Sequence, residues 1–367
     1  MSLWTPKFFD VNAFGLDISD RSFKYAMIEK GEYGLAMTRF GKGEFPEGII
    51  VGGEVKDEKR AAEHLTRALH SAKIPTNRVI LGLPEEKGFL PRIEFTRPNA
   101  SGGLGKIDPN KIRSVLELHI EDHVPITVEE AIFDYERIGS HEVIATVFPR
   151  VIVEHYIALA RSAGLEVVAL ETEAHALLRA AIPREEKRPI MVIDLGETRT
   201  GFLIADEGVV ASTATKPIGG AVMIDAIIRA TGVSRDEAVR LFYEKGLLPA
   251  RPNASGGQAQ THQAGGPDHG SEVFNALIPL IGVLRDEIAK HVAFWQTHRL
   301  PPVHIYLTGG IAHLEGLPEY FAYELRIPVS RANPAENLFA LDEYIPPINR
   351  HDALLWATAL GLAARNI

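Results

Sequence analysis

Between residues 13 and 45 apolar and polar positions alternate, with Phe23, Tyr25 and Met27 on one face. A period of two marks a half-buried strand. The stretch therefore predicts strand, turn, strand, turn, strand. Residues 57–72 change period, with Ala61, Leu65 and Leu69 recurring every four in a polar background, and predict a helix. RVILGLP at 78–84 reads as a buried strand ending in a turn. Ile112, Leu116 and Ile120 make one helical stripe, and Pro109 suits the start of that helix. AIFDYERIG and EVIATVFP flank a turn and read as paired strands. Residues 151–163 predict a helix on Val153, Ile157 and Ala160, and EVVALETEAHALLRAA a strand running into a helix. So 85–168 reads as a small α+β unit set between strands of a larger one.

The second half restarts the pattern. Residues 190–216 repeat the opening hairpin. VSRDEAVRLFYEKG at 233–246 carries a helix start, Ser234 with Glu237 three on, and Gly246 as its stop. Residues 249–271 contain no Val, Leu, Ile, Met, Phe, Tyr or Trp and predict a mobile surface loop. A long helix is expected next, with Phe274, Leu277, Ile281, Leu284, Ile288, Val292 and Trp295 along one side. Pro279 should kink it or mark its first turns. VHIYLTGGIAHLEGL at 303–317 reads as strand, glycine turn, helix, and ALLWATALGLAAR as an apolar terminal helix. The heptapeptide RPNASGG occurs at 97–103 and again at 251–257, both times in a predicted loop.

Composition narrows the classes of function. The 367 residues carry a net charge of −9 and no cysteine. The balance argues against a broad basic face for nucleic acid. The missing cysteines exclude disulfides, thiol catalysis and thiolate metal sites. No apolar run approaches the roughly 18–20 residues that cross a bilayer, and MSLWTPKFFD is too short and broken for a signal peptide. A cytoplasmic protein is expected.

Two short stretches carry candidate chemistry. DISDRS follows the first strand, and DLGETRT follows a strand in the second half. Each places an Asp at the strand end, Asp17 or Asp194, with Ser or Thr close behind. Two related strand–turn–strand units suggest two similar subdomains whose turns converge on a cleft. Turn N–H groups and hydroxyls coordinate phosphate oxygens. The two carboxylates suit a hydrated Mg²⁺, which takes hard oxygen ligands and keeps waters. Gly309–Gly310 after a strand lets backbone approach a flat base, and a helix N-terminus beyond favours anions.

This order of turns resembles the actin-like ATPase superfamily: phosphate-1 turn, phosphate-2 turn, adenosine glycines. Within it the chain is most similar to the PilM family of type IV pilus assembly proteins, relatives of the cell-division protein FtsA. The resemblance runs from about Phe14 to Ala364. Its carriers are FGLDISDRSFK, VILGLPEEKGFLPRIEF, HIEDHVPITVEEAIFDYERI, YIALARSAGLEVVALETEAHALLRA, VIDLGETRTGFLI, PIGG, YLTGGIAHLEGLPEYFAYELRIPV and ATALGLAAR. It implies an α/β, two-lobed actin-like ATPase (ribonuclease H-like) fold with an inserted 1C subdomain. Subdomain 1A would hold 13–84, 169–188 and the last helix, 351–367, with 1C at 85–168. Subdomain 2A would hold 189–225 and 303–350, with 2B at 226–302.

The resemblance also implies ligands and roles. Asp17, Ser19, Ser22, Lys24, Asp194, Gly196, Thr198, Thr200, Gly219, Gly220, Gly309 and Gly310 would bind ATP. Asp17 and Asp194 would hold Mg²⁺ through water, and Glu173 would orient an attacking water. The groove between 1A and 1C would take the N-terminal peptide of a PilN-type inner-membrane protein. That contact would recruit the chain to the inner face of the cytoplasmic membrane, as a scaffold gated by ATP that self-associates into a ring or collar. No nucleic acid and no direct membrane contact are implied. Departures from the family pattern fall at Ser19, where glycine is usual, at Asp20, at Val239 and Phe242 in place of Glu and Lys, and at Ile224 in place of Thr. They predict weak or no ATP hydrolysis. An FtsA-like membrane filament and a small-molecule kinase of the same fold are the alternatives. The first lacks its amphipathic tail in a chain that stops at Ile367, and the second lacks a motif.

Overall fold

The computed structural model describes residues 12–31, 34–94, 111–138, 142–247, 269–297 and 299–366. Both RPNASGG copies and nearly all of the predicted loop 249–271 lie outside them. The chain divides into two units, one of 1–187, 203–214 and 333–367, the other of 188–202 and 215–332.

The first unit opens as the alternation predicts. β1 (Phe14–Ile18), β2 (Ser22–Gly31) and β3 (Gly34–Glu44) form an antiparallel meander. Phe23, Tyr25 and Met27 are buried in the core. β4 (Ile50–Val51) and β5 (Glu54–Val55) make a short hairpin. α1 (Glu58–Ser71) starts at Asp57, whose carboxylate accepts from Arg60 N, and it buries Ala61, Ala62, Leu65 and Leu69. β6 (Arg78–Leu83) then pairs in parallel with β1.

The segment after β6 folds as its own small layer. β7 (Arg92–Glu94), α2 (Ile112–His119), β8 (Ala131–Ile138) and β9 (Glu142–Pro149) give a three-stranded sheet in the order β7-β9-β8. Ile112, Leu116 and Ile120 pack on it with Ile93, Val143 and Val147. The layer is rooted in the rest of the unit by Phe148, which belongs to the main core. α3 (Arg150–Ser162), β10 (Glu166–Thr172) and α4 (Glu173–Ala181) return the chain to the large sheet, ordered β10-β6-β1-β2-β3.

The second unit holds β11 (Ile190–Leu195), the start of β12 (Thr200–Asp206) and the end of β13 (Val209–Lys216), whose residues 203–214 group with the first unit, and then α5 (Gly220–Thr231), α6 (Arg235–Lys245) and α7 (Gly270–Gln296). β14 (His304–Thr308), α8 (Leu317–Leu325) and β15 (Val329–Arg331) complete it. The sheet order is β13-β12-β11-β14-β15. β14 runs parallel to both β11 and β15. α7 buries the expected stripe, except that Val273 fills the first position and Phe274 is half-buried. The helix continues through Pro279. Both Pro279 and Asn275, whose carbonyl loses its N–H partner there, are exposed, which leaves that side of the helix open to solvent.

The chain then closes the first unit with α9 (Pro334–Leu338), α10 (Arg350–Ala353) and α11 (Ala357–Ala363). The stretch expected at 303–350 in the second subdomain is therefore shared, with 333–350 grouped in the first unit. All seven residues of α11 are buried. It lies so close to its neighbours that a Cβ on Gly361 would stand 2.0 Å from the Ala176 carbonyl oxygen, and one on Gly15 would stand 2.4 Å from that of Ala359. Among the described residues no helix is long and apolar enough to cross a membrane.

One polar contact ties the inserted layer to the body. His175 on α4 lies 3.5 Å from the Glu136 carboxylate on β8, and its Nδ1 sits 2.8 Å from Thr172 Oγ1. Burial opposes the imidazolium, but Glu136, Glu171 and Glu85 outweigh it and hold His175 above its ordinary value. The bond to His175 holds Glu136 below its own, against burial.

This packing has two measurable consequences. Alanine suits a helix better than glycine by about 1 kcal/mol, but the overpacking penalty reaches about 3 kcal/mol. Gly361→Ala should therefore lower the urea midpoint; an unchanged or higher midpoint would contradict the contact. The second consequence concerns pH. A raised folded value for His175 adds stability that is full below about pH 6.5 and is lost as pH rises through the folded value. His175→Gln should flatten that alkaline loss, read as the urea midpoint between about pH 6 and pH 9. Equal slopes in parent and variant would remove His175 as the cause.

Candidate functional site

The first candidate turn joins β1 to β2, where Asp17 faces Lys24 across the ladder. The Lys24 Nζ is 3.9 Å from Asp17 Oδ2, with both side chains largely buried. Ser19 N and Ser19 Oγ both donate to the Ser22 carbonyl at 2.9 Å, and the two hydroxyls are 3.3 Å apart. Asp20 does not stand as an unscreened charge. Its carboxylate accepts from Gly52 N at 2.9 Å and Gly53 N at 3.0 Å, which fastens the turn to the β4–β5 hairpin. The sequence carries no sign of that bond, since strand and loop separate Asp20 from Gly52 and Gly53.

The second turn joins β11 to β12. Gly196 N donates to Arg199 O at 3.0 Å and closes it, and Thr198 stands half-buried at its tip. Thr200 is fully buried and its hydroxyl donates to Ile218 O at 2.7 Å. That bond ties the turn to the Pro217–Gly220 segment, and Gly220 N and Ala221 N donate back to Gly196 O and Glu197 O. The approach is tight: a Cβ on Gly219 would stand 2.3 Å from Glu197 O. Asp194, last but one in β11, stands opposite Thr308. Gly309 follows β14 with φ +83° and ψ 178°, a region essentially reserved for glycine. A Cβ there would also meet Leu195 O at 2.5 Å and Asp194 Oδ1 at 2.8 Å. The structure thus gathers Asp194, Gly196, Thr200, Gly219, Gly220, Gly309 and Gly310 around one turn of the second unit, and Asp17, Ser19, Ser22 and Lys24 around one turn of the first.

The positions that depart from the family pattern sort by exposure. Phe242 and Ile224 are buried, while Val239 is exposed on α6. Glu237 and Arg240 pair with each other, and Arg240 pairs with Glu244, on the outer face. Tyr243, edge-on to Phe242, has its phenol pushed up by burial and then by the Glu197 carboxylate, so α6 lies beside the second turn. Glu173 begins α4 as expected. Glu85 accepts from Ala174 N at 3.2 Å, so the helix start gathers two carboxylates.

Arg331 was not expected. Its guanidinium donates to Ala312 O at 2.6 Å and Leu314 O at 3.2 Å, and so grips the single turn of 3-10 helix that begins at Gly310. A lone Arg at the end of a three-residue strand carries no pattern that would single it out.

Within the second unit, close backbone approach at Gly219 and Gly309 beside the Asp194 carboxylate fits a nucleotide phosphate with a water-bound Mg²⁺. Among the described residues no group of three or more His, Cys, Asp or Glu forms a metal cage.

Gly309→Ala should cost at least about 1–3 kcal/mol in backbone strain alone. The loss should appear as a lower thermal midpoint, and an unchanged midpoint would show that the turn relaxes freely.

Comparison with known proteins agrees with the fold. The family model for type IV pilus assembly protein PilM matches residues 15–251. The structure of a PilM–PilN type IV pilus biogenesis complex superposes with a TM-score of 0.77 at 19% identity, covering 97% of this chain and 98% of that one. The ethanolamine utilization protein EutJ from Carboxydothermus hydrogenoformans gives 0.53 at 14% identity, with 96% and 88% covered. MreB5 of Spiroplasma citri bound to ADP gives 0.51 at 15%, with 95% and 94% covered. These likenesses establish the actin-like ATPase fold. With more than half of its length matched by the family model, the chain belongs to the PilM family of type IV pilus assembly proteins.

Proposed function

We propose that the chain is a pilus assembly scaffold that binds the N-terminal tail of a PilN-type inner-membrane protein and is gated by ATP. The observation that carries the reading is family membership together with a similar fold in a PilM–PilN complex. The tail docks in the groove between the inserted layer and the body of the first unit. Binding there recruits the chain to the cytoplasmic face of the inner membrane, with no membrane-spanning helix of its own required. Self-association builds the collar beneath the platform.

The nucleotide part of the reading is supported by the second turn. Gly219 and Gly309 bring backbone within reach of phosphate oxygens, and Thr200 holds the turn in shape from beneath. Asp194 and Asp17 are the Mg²⁺ carboxylates, acting through water. Glu173 is the residue assigned to orient a water. The paired, outward-facing Glu237 and Arg240 leave no polar clamp on α6 at the Val239 and Phe242 positions, in keeping with slow turnover or none.

Two measurements test this reading. PilN-type tail peptides from the same genome, immobilised on a sensor surface, should bind saturably; no saturable binding would end the scaffold reading. In calorimetry with Mg²⁺, ATP should bind, and Asp194→Ala should weaken it about tenfold or more. Equal affinity in the variant would remove Asp194 from the site.

A further inference from the structure

We propose that the open edge of β8 takes an extended peptide as a fourth strand of the inserted sheet, and that the partner's tail is held in this way. The proposal deepens the scaffold reading above and rests on it for the identity of the tail.

The inserted sheet runs β7-β9-β8, so β8 lies at one edge. β9 divides its backbone between its two neighbours. Ala145 N and Val147 N donate to Pro91 O and Phe89 O on the β7 side. The residues alternating with them serve β8, because hydrogen-bonded pairs alternate along an antiparallel ladder. Arg150 N, which donates to Glu130 O, continues that frame. Ile132 stands opposite Phe148, Asp134 opposite Thr146 and Glu136 opposite Ile144, so these residues of β8 turn their backbone groups to β9. Phe133, Tyr135 and Arg137 turn theirs outward.

One end of this edge is closed, since Arg150 Nη2 donates to Ala131 O at 3.1 Å. Tyr135 N rests on the exposed Asp134 carboxylate at 2.9 Å. Among the described residues, the N–H groups of Phe133 and Arg137 and the carbonyls of Phe133, Tyr135 and Arg137 have no hydrogen-bond partner. A row of such groups is a template for strand addition.

Charge selects the occupant. Phe133 and Tyr135 pack in the inserted core. Ile132 reaches the main core, and Glu136 meets His175 on α4. A strand added beside β8 therefore meets Asp134 and Glu136 on the side facing α4. A second copy of β8, paired in antiparallel about Tyr135, would set Asp134 opposite Glu136 twice, and like charges directly opposite are destabilising. Glu136 is already matched by His175, which leaves Asp134 to take a cation. The edge thus fits an extended peptide with a lysine or arginine beside Asp134 and an apolar residue two places along, beside Ile132.

The test uses the full chain and the PilN-type tail peptide of the same genome. The peptide is supplied plain and in two backbone N-methylated forms, one methylated at odd positions and the other at even. Only alternate amides of an added strand face β8. One methylated form should therefore bind at least about tenfold more weakly than the plain peptide, and the other within about threefold of it. Two methylated forms of equal affinity overturn the proposal. With the plain peptide bound, the amides of Phe133 and Arg137 should exchange with deuterium at least about tenfold more slowly. Unchanged exchange there overturns it as well. Asp134→Asn keeps an oxygen for Tyr135 N and removes the charge. It should weaken the plain peptide about two- to fivefold, and an unchanged affinity overturns the choice of a basic strand. Failure of the plain peptide to bind at all is a different result: it ends the scaffold reading, and this proposal with it.

Discussion

Close packing of backbone on backbone is the constraint on which each unit depends. In the first, α11 is buried on every side and touches both β1 and α4 where Gly15 and Gly361 leave out a Cβ. At 2.0 and 2.4 Å, any side chain at either position must displace main chain rather than a flexible tip. The C-terminal segment is therefore a structural part of the sheet that opens the chain. Arg179 reinforces the seam by donating to the Gly361 carbonyl and pairing with Glu171.

The same constraint shapes the second unit around a turn instead of a helix. Gly219 and Gly309 let two segments approach the end of β11 from different directions, and Thr200 and Arg331 hold those segments from behind. A hydroxyl that is fully buried and bonded to Ile218 O cannot be lost cheaply, because the carbonyl would be left without its partner. The turn thus keeps its form through the core beneath it.

How much of this the sequence discloses depends on the range of the interaction. Periods of two and near four place β1 to β3, α1, α2, α3 and α7 because burial alternates locally along one chain segment. Ser234 caps α6 as read, its oxygen accepting from Glu237 N at 3.3 Å, although Glu237 turns to Arg240 instead of closing the box. Phe274 fails as a stripe residue because Val273 lies closer to the centre of the buried arc. The turns themselves announce their glycines and acids. Their partners are invisible beforehand: Gly52 and Gly53 for Asp20, Ile218 for Thr200, and the 312–314 carbonyls for Arg331 are fixed by topology, which no local period encodes.

The first turn is closed by bonds within its own unit. A site whose donors face only solvent until a ligand arrives gains stability by binding, and its shape follows ligand concentration. A turn closed on itself, as Ser19, Ser22 and Asp20 close the first, has its hydrogen bonds in the folded state without any ligand. The inserted layer is rooted beside it through Phe148 in the same core, and Tyr156 donates to Gly53 O from α3. The Gly52–Gly53 hairpin thus meets the turn on one side and the helix after the insert on the other.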